Sequence, residues 1–366
     1  MKILILADAN SVHVMRWANA FLNIGYDVTI ISCANHHPNE KIKYNKNIRF
    51  IFLKYKAPIG YYLNAIELKK IVKKEKFDII NIHYASGYGT LGRMAGLKHA
   101  LLNVWGSDVY DFPYESIVKM NIIKKNLRYY DFVASTSNCM AKQSCKLFNR
   151  KIYITPFGVD TKLFKPEEGK RNPNIFLFGT VKTLSPKYAI SDTIKGFILV
   201  YKRLISEGYK EIAEKLNYEI YGDGWQKDEL QNLINKNKMG DKIKLCGYVK
   251  NDQLPEILNR FDVFCSNSNI NSESFGVAAV EAMACGVPVI VSDADGFKEV
   301  VENKVTGLIV PKGDIEAIAE AMYYMIFNKE ERENFGNEGV KRVQKFYNWD
   351  DNVSTMEDVL KKMIVK

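Results

Sequence analysis

The sequence predicts an α/β fold built as two Rossmann-like, doubly wound parallel-sheet domains facing a central cleft. Three observations predict it. Short apolar runs of strand length alternate with helical patterns along the chain, the alternation starts afresh in the second half, and 366 residues exceed one ordinary core. In the first half, strands are expected at 3–6, 28–32, 49–53, 79–83, 101–105, 132–135 and 152–155. In the second half they are expected at 175–178, 218–221, 243–245, 263–265 and 287–292, the last with its core at 289–291. The division is placed in the charged stretch 165–174, giving domains 1–166 and 167–366, with the final helix packing back on the first. Ligands of such sheets sit at the carboxyl ends of the strands, here facing the cleft.

Composition narrows the classes. Hydrophobic residues make up 47% of the chain, yet no apolar run approaches the roughly 20 residues that span a bilayer. The opening MKILILADAN turns polar too soon for a signal peptide and reads as a first strand. The six cysteines (Cys33, Cys139, Cys145, Cys246, Cys265, Cys285) lack CxxC spacing, so reduced packing thiols are expected. These features place the chain in the cytoplasm.

Charge is unevenly spread. Residues 1–166 hold 25 of the 52 Lys/Arg and 11 of the 42 Asp/Glu, a net of +14, leaving 27 and 31, a net of −4. Such asymmetry suggests an anionic partner for the first half. The densest clusters are Lys69, Lys70, Lys73, Lys74, Lys76 and then Lys119, Lys124, Lys125, Arg128. The second is interleaved with Ile122, Ile123, Leu127, Tyr129 and Tyr130, a pattern that suits a helix lying on an anionic membrane surface, on the inner face. A merely soluble basic face is the alternative. Nucleic acid is not among the expected partners.

The chemistry concentrates at 267–296, NSNINSESFGVAAVEAMACGVPVIVSDADG, which carries Glu273 and Glu281. A helix is expected to open near Phe275 and Gly276 and to stop at Gly286, handing over to a strand. Its start offers backbone N–H groups at Phe275, Gly276 and Val277, a natural seat for a phosphate. Glu281 is placed about two turns in, between Val280 and Ala282, where a carboxylate needs a partner such as sugar hydroxyls. A phosphate seat beside a hydroxyl acceptor describes a nucleotide-sugar pocket. The plain alternative is a solvent-facing Glu281 with Glu273 at a helix start.

With Glu273 and Glu281 as E-x7-E, the run Gly179-Thr180-Val181-Lys182 with Lys187, Gly222-Asp223-Gly224, Gly247-Tyr248-Val249 and Thr306-Gly307-Leu308, the chain resembles the family 4 retaining glycosyltransferases of the GT-B fold. The resemblance spans nearly the whole chain. It implies an acceptor-side first domain and a second domain binding a nucleotide-sugar donor through Glu281, Phe275, Gly276, Val277, Gly224, Tyr248 and Val249. It further implies Glu281 on the ribose hydroxyls and Glu273 near the transferred sugar, with retention, no covalent intermediate and no metal or other cofactor. A glycan or lipid-linked acceptor in cell-surface polysaccharide synthesis completes that picture. Lys182 and Lys187 can clamp the diphosphate whose charge grows as the glycosidic bond breaks. Where the family usually has Arg, Lys182 keeps the charge and loses bidentate geometry.

The first half departs from the family pattern. The loop after the first strand, Asp8-Ala9-Asn10-Ser11-Val12-His13, lacks the usual glycines. Ser11 and His13 either face the acceptor or, in Ser11's case, cap a helix. The family's His after the fifth strand is replaced by Trp105, in Val104-Trp105-Gly106-Ser107-Asp108. Either Asp108 supplies polarity there as a catalytic group, or Trp105 stacks on a sugar. His83 ends a strand near the cleft, as an acceptor-side or a structural residue. Gly87-Tyr88-Gly89-Thr90-Leu91-Gly92 with Asp111 offers a competing dinucleotide-binding oxidoreductase, although it follows the fourth strand and not the first. Two further alternatives are a glycoside hydrolase using both glutamates, for which a helix-interior Glu281 is poorly placed, and a non-catalytic nucleotide-sugar binder.

Overall fold

Four consecutive buried residues, Ile3 to Leu6, make the first strand an element covered on both faces, as the centre of a parallel sheet requires. In the computed structural model, which describes residues 1–364, that strand is β1 (Lys2–Leu6). It is followed by β2 (Asp27–Cys33), β3 (Arg49–Leu53), β4 (Ile79–His83), β5 (Leu101–Val104), β6 (Phe132–Ser135) and β7 (Tyr153–Ile154). All pair in parallel in the order β3-β2-β1-β4-β5-β6-β7. The second sheet comprises β8 (Phe176–Val181), β9 (Leu216–Tyr221), β10 (Ile243–Gly247), β11 (Val263–Ser266), β12 (Val289–Ser292) and β13 (Gly307–Val310). Its order is β10-β9-β8-β11-β12-β13, also parallel. Each sheet reverses direction of growth once, between β1 and β4 and between β8 and β11, and such a switch opens a crevice at the strands' carboxyl ends.

The chain forms two compact units, Met1–Pro156 with Asp350–Lys366, and Phe157–Trp349. The division therefore precedes the charged stretch expected to carry it. Segment 157–167 is tied into the second unit: Val159 N–H donates to the Tyr347 carbonyl at 2.7 Å, and Asn259 grips the Lys165 carbonyl and the Glu167 amide at 3.0 and 2.8 Å. The charges at 165–174 mark an exposed turn on that unit. From Asp350 onward the helix Trp349–Ile364 joins the first unit, burying Val353, Met356, Val359, Leu360 and Met363 as one helical stripe.

Each unit has its own core. In the first, Leu4, Leu6, Ile82, Leu102 and Val104 pack under the helices Gly87–Met94 and Ile117–Tyr129. In the second, Phe178, Phe197, Tyr218 and Ile290 pack with Ile318 and Met322 of the helix Ile315–Phe327. β13 is absent from the strands read in sequence. It is short, and Gly307 is required because a Cβ there would lie 2.3 Å from the Val289 carbonyl oxygen.

Two expectations change here. Ile123, Leu127 and Tyr130 are buried core residues, and Ile122 and Tyr129 are partly buried, so most of the apolar surface beside Lys124, Lys125 and Arg128 is turned into the protein. Gly87, Gly89 and Gly92 lie inside a buried helix, where Cβ atoms on Gly87 and Gly92 would strike the Tyr61 ring and Ile82 at 2.5 and 2.6 Å. Those glycines serve close packing, and the Gly89 N–H is held by the Tyr84 carbonyl at 3.0 Å, so the run is a packed helix and not the open glycine loop that the dinucleotide-binding reading requires. All six cysteines are free thiols, and no helix among the described residues is long and apolar enough to cross a membrane.

Candidate active site

The second unit's switch point brings together the loops after β8 and β11, and with them Lys182 and Glu273. Lys182 Nζ lies 2.6 Å from Glu273 Oε2, and the other carboxylate oxygen accepts the Gly276 N–H at 3.1 Å. One carboxylate thus holds the amide at the helix entrance and neutralises a lysine. Burial of Lys182 opposes its charge, but Glu273, Tyr188 and Glu281 together outweigh that and hold its pKa above the ordinary value. Tyr188 lies against both cations of the loop, with Lys182 Nζ at 4.5 Å and Lys187 Nζ at 5.1 Å from its ring centroid.

Backbone contacts explain the surrounding glycines. Lys182 N–H donates to the Tyr221 carbonyl and Leu184 N–H to that of Asp223, zipping the loops after β8 and β9 together at 2.9 and 3.0 Å. Gly222 has φ +141°, and a Cβ there would come 1.9 Å from the Lys182 oxygen; at Gly224 one would come 2.3 Å from the Leu184 oxygen. Gly222 N–H reaches the Gly247 carbonyl at 2.8 Å, which aligns the ends of β9 and β10, with Tyr248, half exposed, directly after β10. The loop after β11 is stapled twice. Asn269 N–H and the Ser268 hydroxyl donate to the Lys187 carbonyl at 3.0 and 2.9 Å, while Ser268 and Ser292 exchange hydrogen bonds.

The helix carrying Glu281 is Val277–Ala284, entered through Gly276 at φ +85°. Three details differ from the sequence reading. Glu281 lies just over one turn in, not two. Of the three amides at Phe275, Gly276 and Val277, that of Gly276 is engaged by Glu273, so the seat for an anion is narrower than expected. The following strand begins at Val289, because Pro288 supplies no N–H for the ladder. Glu281 is buried on this apolar helix, so the solvent-facing alternative does not hold.

Residues that sequence reasoning passed over complete the site. Tyr188 directly follows Lys187, and only the three-residue turn Pro186–Tyr188 brings its ring to both lysines. Gly296 donates to the Glu273 carbonyl at 3.0 Å, and a Cβ there would meet Phe275 N at 2.3 Å. A glycine directly after Asp-Ala-Asp was its only signal. Trp225, next to Gly224, is 76% exposed.

In the first unit, Asp108 is fully buried. Its carboxylate accepts N–H bonds from Ala85 (2.8 Å), Gly106 (2.8 Å) and Trp105 (3.1 Å). Burial pushes its pKa up while those amides pull it down. It clamps the loop after β5 to the end of β4, and its lone pairs are spent there, which is a positioning role and not the catalytic one expected. Ser11 stands at the N-cap of the helix Val12–Asn23, but its side chain makes no capping hydrogen bond. His13 and His83 flank Trp105, with ring centroids at 5.7 and 4.8 Å. Both ring nitrogens of His83 are buried without a hydrogen-bond partner among the described residues. Burial, then the neighbouring His13, lowers the His83 pKa to about 3; burial, then Arg16, lowers that of His13 to about 4. Both imidazoles are uncharged at neutral pH, suited to exchanging single hydrogen bonds with neutral hydroxyls.

Gly296→Ala should cost about 1–3 kcal/mol in urea unfolding, because the added methyl has no space against the Glu273 loop. Gly240→Ala, where a Cβ meets nothing within 4 Å, should stay within about 0.5 kcal/mol and serves as the control. Equal effects would show that the Glu273 loop has room to yield.

Comparison with known proteins agrees with this geometry. Residues 160–342 match the family Glycosyl transferases group 1, and residues 2–137 match Glycosyl transferase 4-like. The chain is 27% identical over 318 residues to "Uncharacterized glycosyltransferase MJ1178" of Methanocaldococcus jannaschii, covering 83% of this chain and 81% of that one. It is 28% identical to an Escherichia coli "UDP-Gal:alpha-D-GlcNAc-diphosphoundecaprenol alpha-1,3-galactosyltransferase", covering 71% and 69%. Among solved structures, sucrose-phosphate synthase from Thermosynechococcus elongatus superposes with a TM-score of 0.84 at 18% identity, covering 100% and 99%. Anabaena HepE, bound to UDP and glucose, superposes at 0.78 and 16%, covering 99% of each chain. Two parallel sheets of this order, an E-x7-E pair whose first glutamate meets a lysine at the second sheet's switch point, and these matches make the chain a member of the group 1 glycosyltransferase family with the GT-B fold.

Proposed function

We propose that the chain is a retaining, metal-independent glycosyltransferase that moves a sugar from a nucleotide-sugar donor to a glycan or lipid-linked acceptor. The observation that carries this reading is the convergence of Glu273 by contact, and Glu281 by its field, on the partly buried ammonium of Lys182. A carboxylate held on a cation at a strand end marks a place where another anion can be exchanged in. In this reading the donor diphosphate takes Glu273's place on Lys182 and adds Lys187 and the amides of Phe275 and Val277. Glu281 accepts the ribose hydroxyls, and Gly224, Tyr248 and Val249 line the nucleoside.

Magnitudes separate the two lysines. A phosphate charge about 4 Å from an ammonium is worth on the order of 4 kcal/mol near a protein surface. For Lys182 most of that is an exchange, since Glu273 already supplies a comparable attraction. Lys187 has no carboxylate in ion-pair reach among the described residues, so its gain is nearly undiminished. As the bond between the anomeric carbon and the diphosphate oxygen breaks, the electron pair leaves with the diphosphate, where Lys187 stabilises it. The acceptor hydroxyl oxygen forms the new bond on the same face, and its proton passes to the departing phosphate oxygen. Freed from Lys182, Glu273 lies beside the positive sugar. Lysines and backbone amides do here what a divalent cation does elsewhere.

The relatives support the classes of substrate. Neighbouring structures hold UDP with glucose or with GlcNAc, and relatives are named for a diphosphoundecaprenol-linked acceptor and for phosphatidylinositol. Together with the basic first half, they favour a cytoplasmic enzyme of cell-surface polysaccharide synthesis working at the inner face of an anionic membrane.

Glu281→Gln should weaken donor binding in calorimetry by at least about tenfold, since hydrogen bonds to a charged acceptor are worth about 1.5–3 kcal/mol. Unchanged affinity would remove the ribose assignment. Lys187→Ala should lower kcat by at least about tenfold, a loss of roughly 1.4 kcal/mol, while the melting temperature holds. Activity retained within about threefold would reject the clamp. Transfer should survive EDTA; its abolition, with rescue by magnesium or manganese, would reject the metal-independent mechanism.

A further inference from the structure

Residues 59–66 present their apolar side chains outward. Ile59, Tyr62, Leu63 and Ile66 are 65%, 45%, 54% and 72% exposed. Their spacing of three, four and seven is the stripe that a helix normally turns into a core. Here the opposite side is the buried one: Gly60, Asn64, Ala65 and Leu68 face the protein. The segment is not loosely held. Its two helices, Gly60–Leu63 and Ala65–Glu75, run nearly continuously through Asn64, whose side chain accepts the Tyr55 N–H and donates to the Tyr55 carbonyl at 2.9 Å each. A rigid, pinned element therefore displays four large apolar side chains to water.

Lysines surround the stripe. Residues 54–76 contain seven lysines against Glu67 and Glu75. Both carboxylates are engaged, Glu67 with the Lys54 amide and Glu75 with Arg49. Lys69, Lys70 and Lys73 are exposed and have no ion-pair partner among the described residues. A second apolar outcrop, Tyr114, Ile117 and Val118 at 57%, 81% and 68% exposed, opens the helix Ile117–Tyr129. That helix packs on Gly87–Met94, as does the segment itself, so both outcrops share one face of the first sheet.

We propose that the stripe Ile59, Tyr62, Leu63, Ile66 with its flanking lysines is a docking surface for an anionic lipid bilayer, with Tyr114, Ile117 and Val118 as a second point of insertion. The proposal rests on the lipid-linked acceptor reading and identifies the face that meets the membrane. Aliphatic side chains enter the headgroup boundary while lysine stems lie along it and their ammonium groups meet phosphates. Charge decides between occupants. In a symmetric dimer the same patch would face itself and bring unpaired lysines together, whereas an anionic bilayer offers apolar depth and negative charge at once.

The test uses the full chain, with vesicles of phosphatidylglycerol in phosphatidylcholine and of phosphatidylcholine alone. The wild type should sediment with the anionic vesicles at low salt and detach as salt rises. Ile59→Ser with Leu63→Ser and Ile66→Ser should weaken that partition at least about tenfold. Lys69→Glu with Lys70→Glu and Lys73→Glu should abolish the preference for anionic lipid. Both variants should keep wild-type circular dichroism and donor affinity, since the altered side chains are exposed and lie outside the donor site. Wild-type sedimentation by the serine variant would overturn the proposal. So would failure of the wild type to bind either vesicle, or a concentration-dependent dimer that only the serine substitutions dissolve. Donor affinity is measured separately, so its absence in the wild type would count against the transferase reading and leave the vesicle result standing.

Discussion

The ion pair between Lys182 and Glu273 is the contact on which the second unit's site is organised. A partly buried charge pair is a poor way to gain stability, because desolvation consumes most of the attraction. Its value is positional. Once the lysine is enclosed it needs an anion nearby, and Glu273 satisfies it only if the loop after β11 arrives at one height and angle. Gly276 in the left-handed region turns the chain so that the same carboxylate reaches the Gly276 amide at the helix entrance. Gly296 has no side chain because the Glu273 loop passes across its backbone, and Gly222 has none because the Lys182 carbonyl does. Three glycines far apart in sequence are thus consequences of one lysine and one glutamate.

That dependence explains what was legible in the sequence. β–α alternation and apolar runs follow from local rules, so every strand but β13 was readable. The pair Glu273 and Glu281 was readable because its spacing is set by a single loop and helix. Tyr188 and Gly296 were not, because their roles arise only when separate strands bring the loops together. The helix start was placed correctly to within a residue or two, yet the engagement of the Gly276 amide by Glu273 depends on a side-chain direction that no pattern carries. The division between the units was not legible. Charge density at 165–174 reflects exposure, and it is backbone pairing of 157–167 with the second unit that sets the boundary.

The first unit shows how chemical-looking motifs are absorbed by packing. Asp108 follows a strand end, where a catalytic carboxylate would be sought, but the turn after β5 leaves the amides of Trp105 and Gly106 needing an acceptor, and Asp108 is the group that reaches them. The glycine-rich Gly87 to Gly92 run lets a helix approach Tyr61, Ile82 and Tyr130 more closely than side chains would permit. His83 and His13, by contrast, keep a chemical character. Beside Trp105 they form a neutral, polar and aromatic cluster compatible with hydroxyls. The two sites differ in charge: Lys182 and Lys187 gather at the second sheet's switch point, whereas the imidazoles beside Trp105 in the first unit are neutral.

The same separation of pattern from exposure governs the basic surface. Interleaved lysines and apolar residues at 119–130 look like an interfacial helix, but a periodic stripe cannot say which way it faces. There the apolar side is core and the lysines are a solvated rim. At 59–66 an equivalent stripe faces out, because Gly60, Asn64 and Ala65 are the small or hydrogen-bonded residues that fit against the sheet. Net charge alone would steer the first unit toward any polyanion, and that attraction fades within about 8 Å at physiological salt. Apolar insertion is short-ranged and insensitive to salt. A surface combining both is drawn in by charge and retained by burial, and such a surface would keep a transferase beside an acceptor confined to two dimensions.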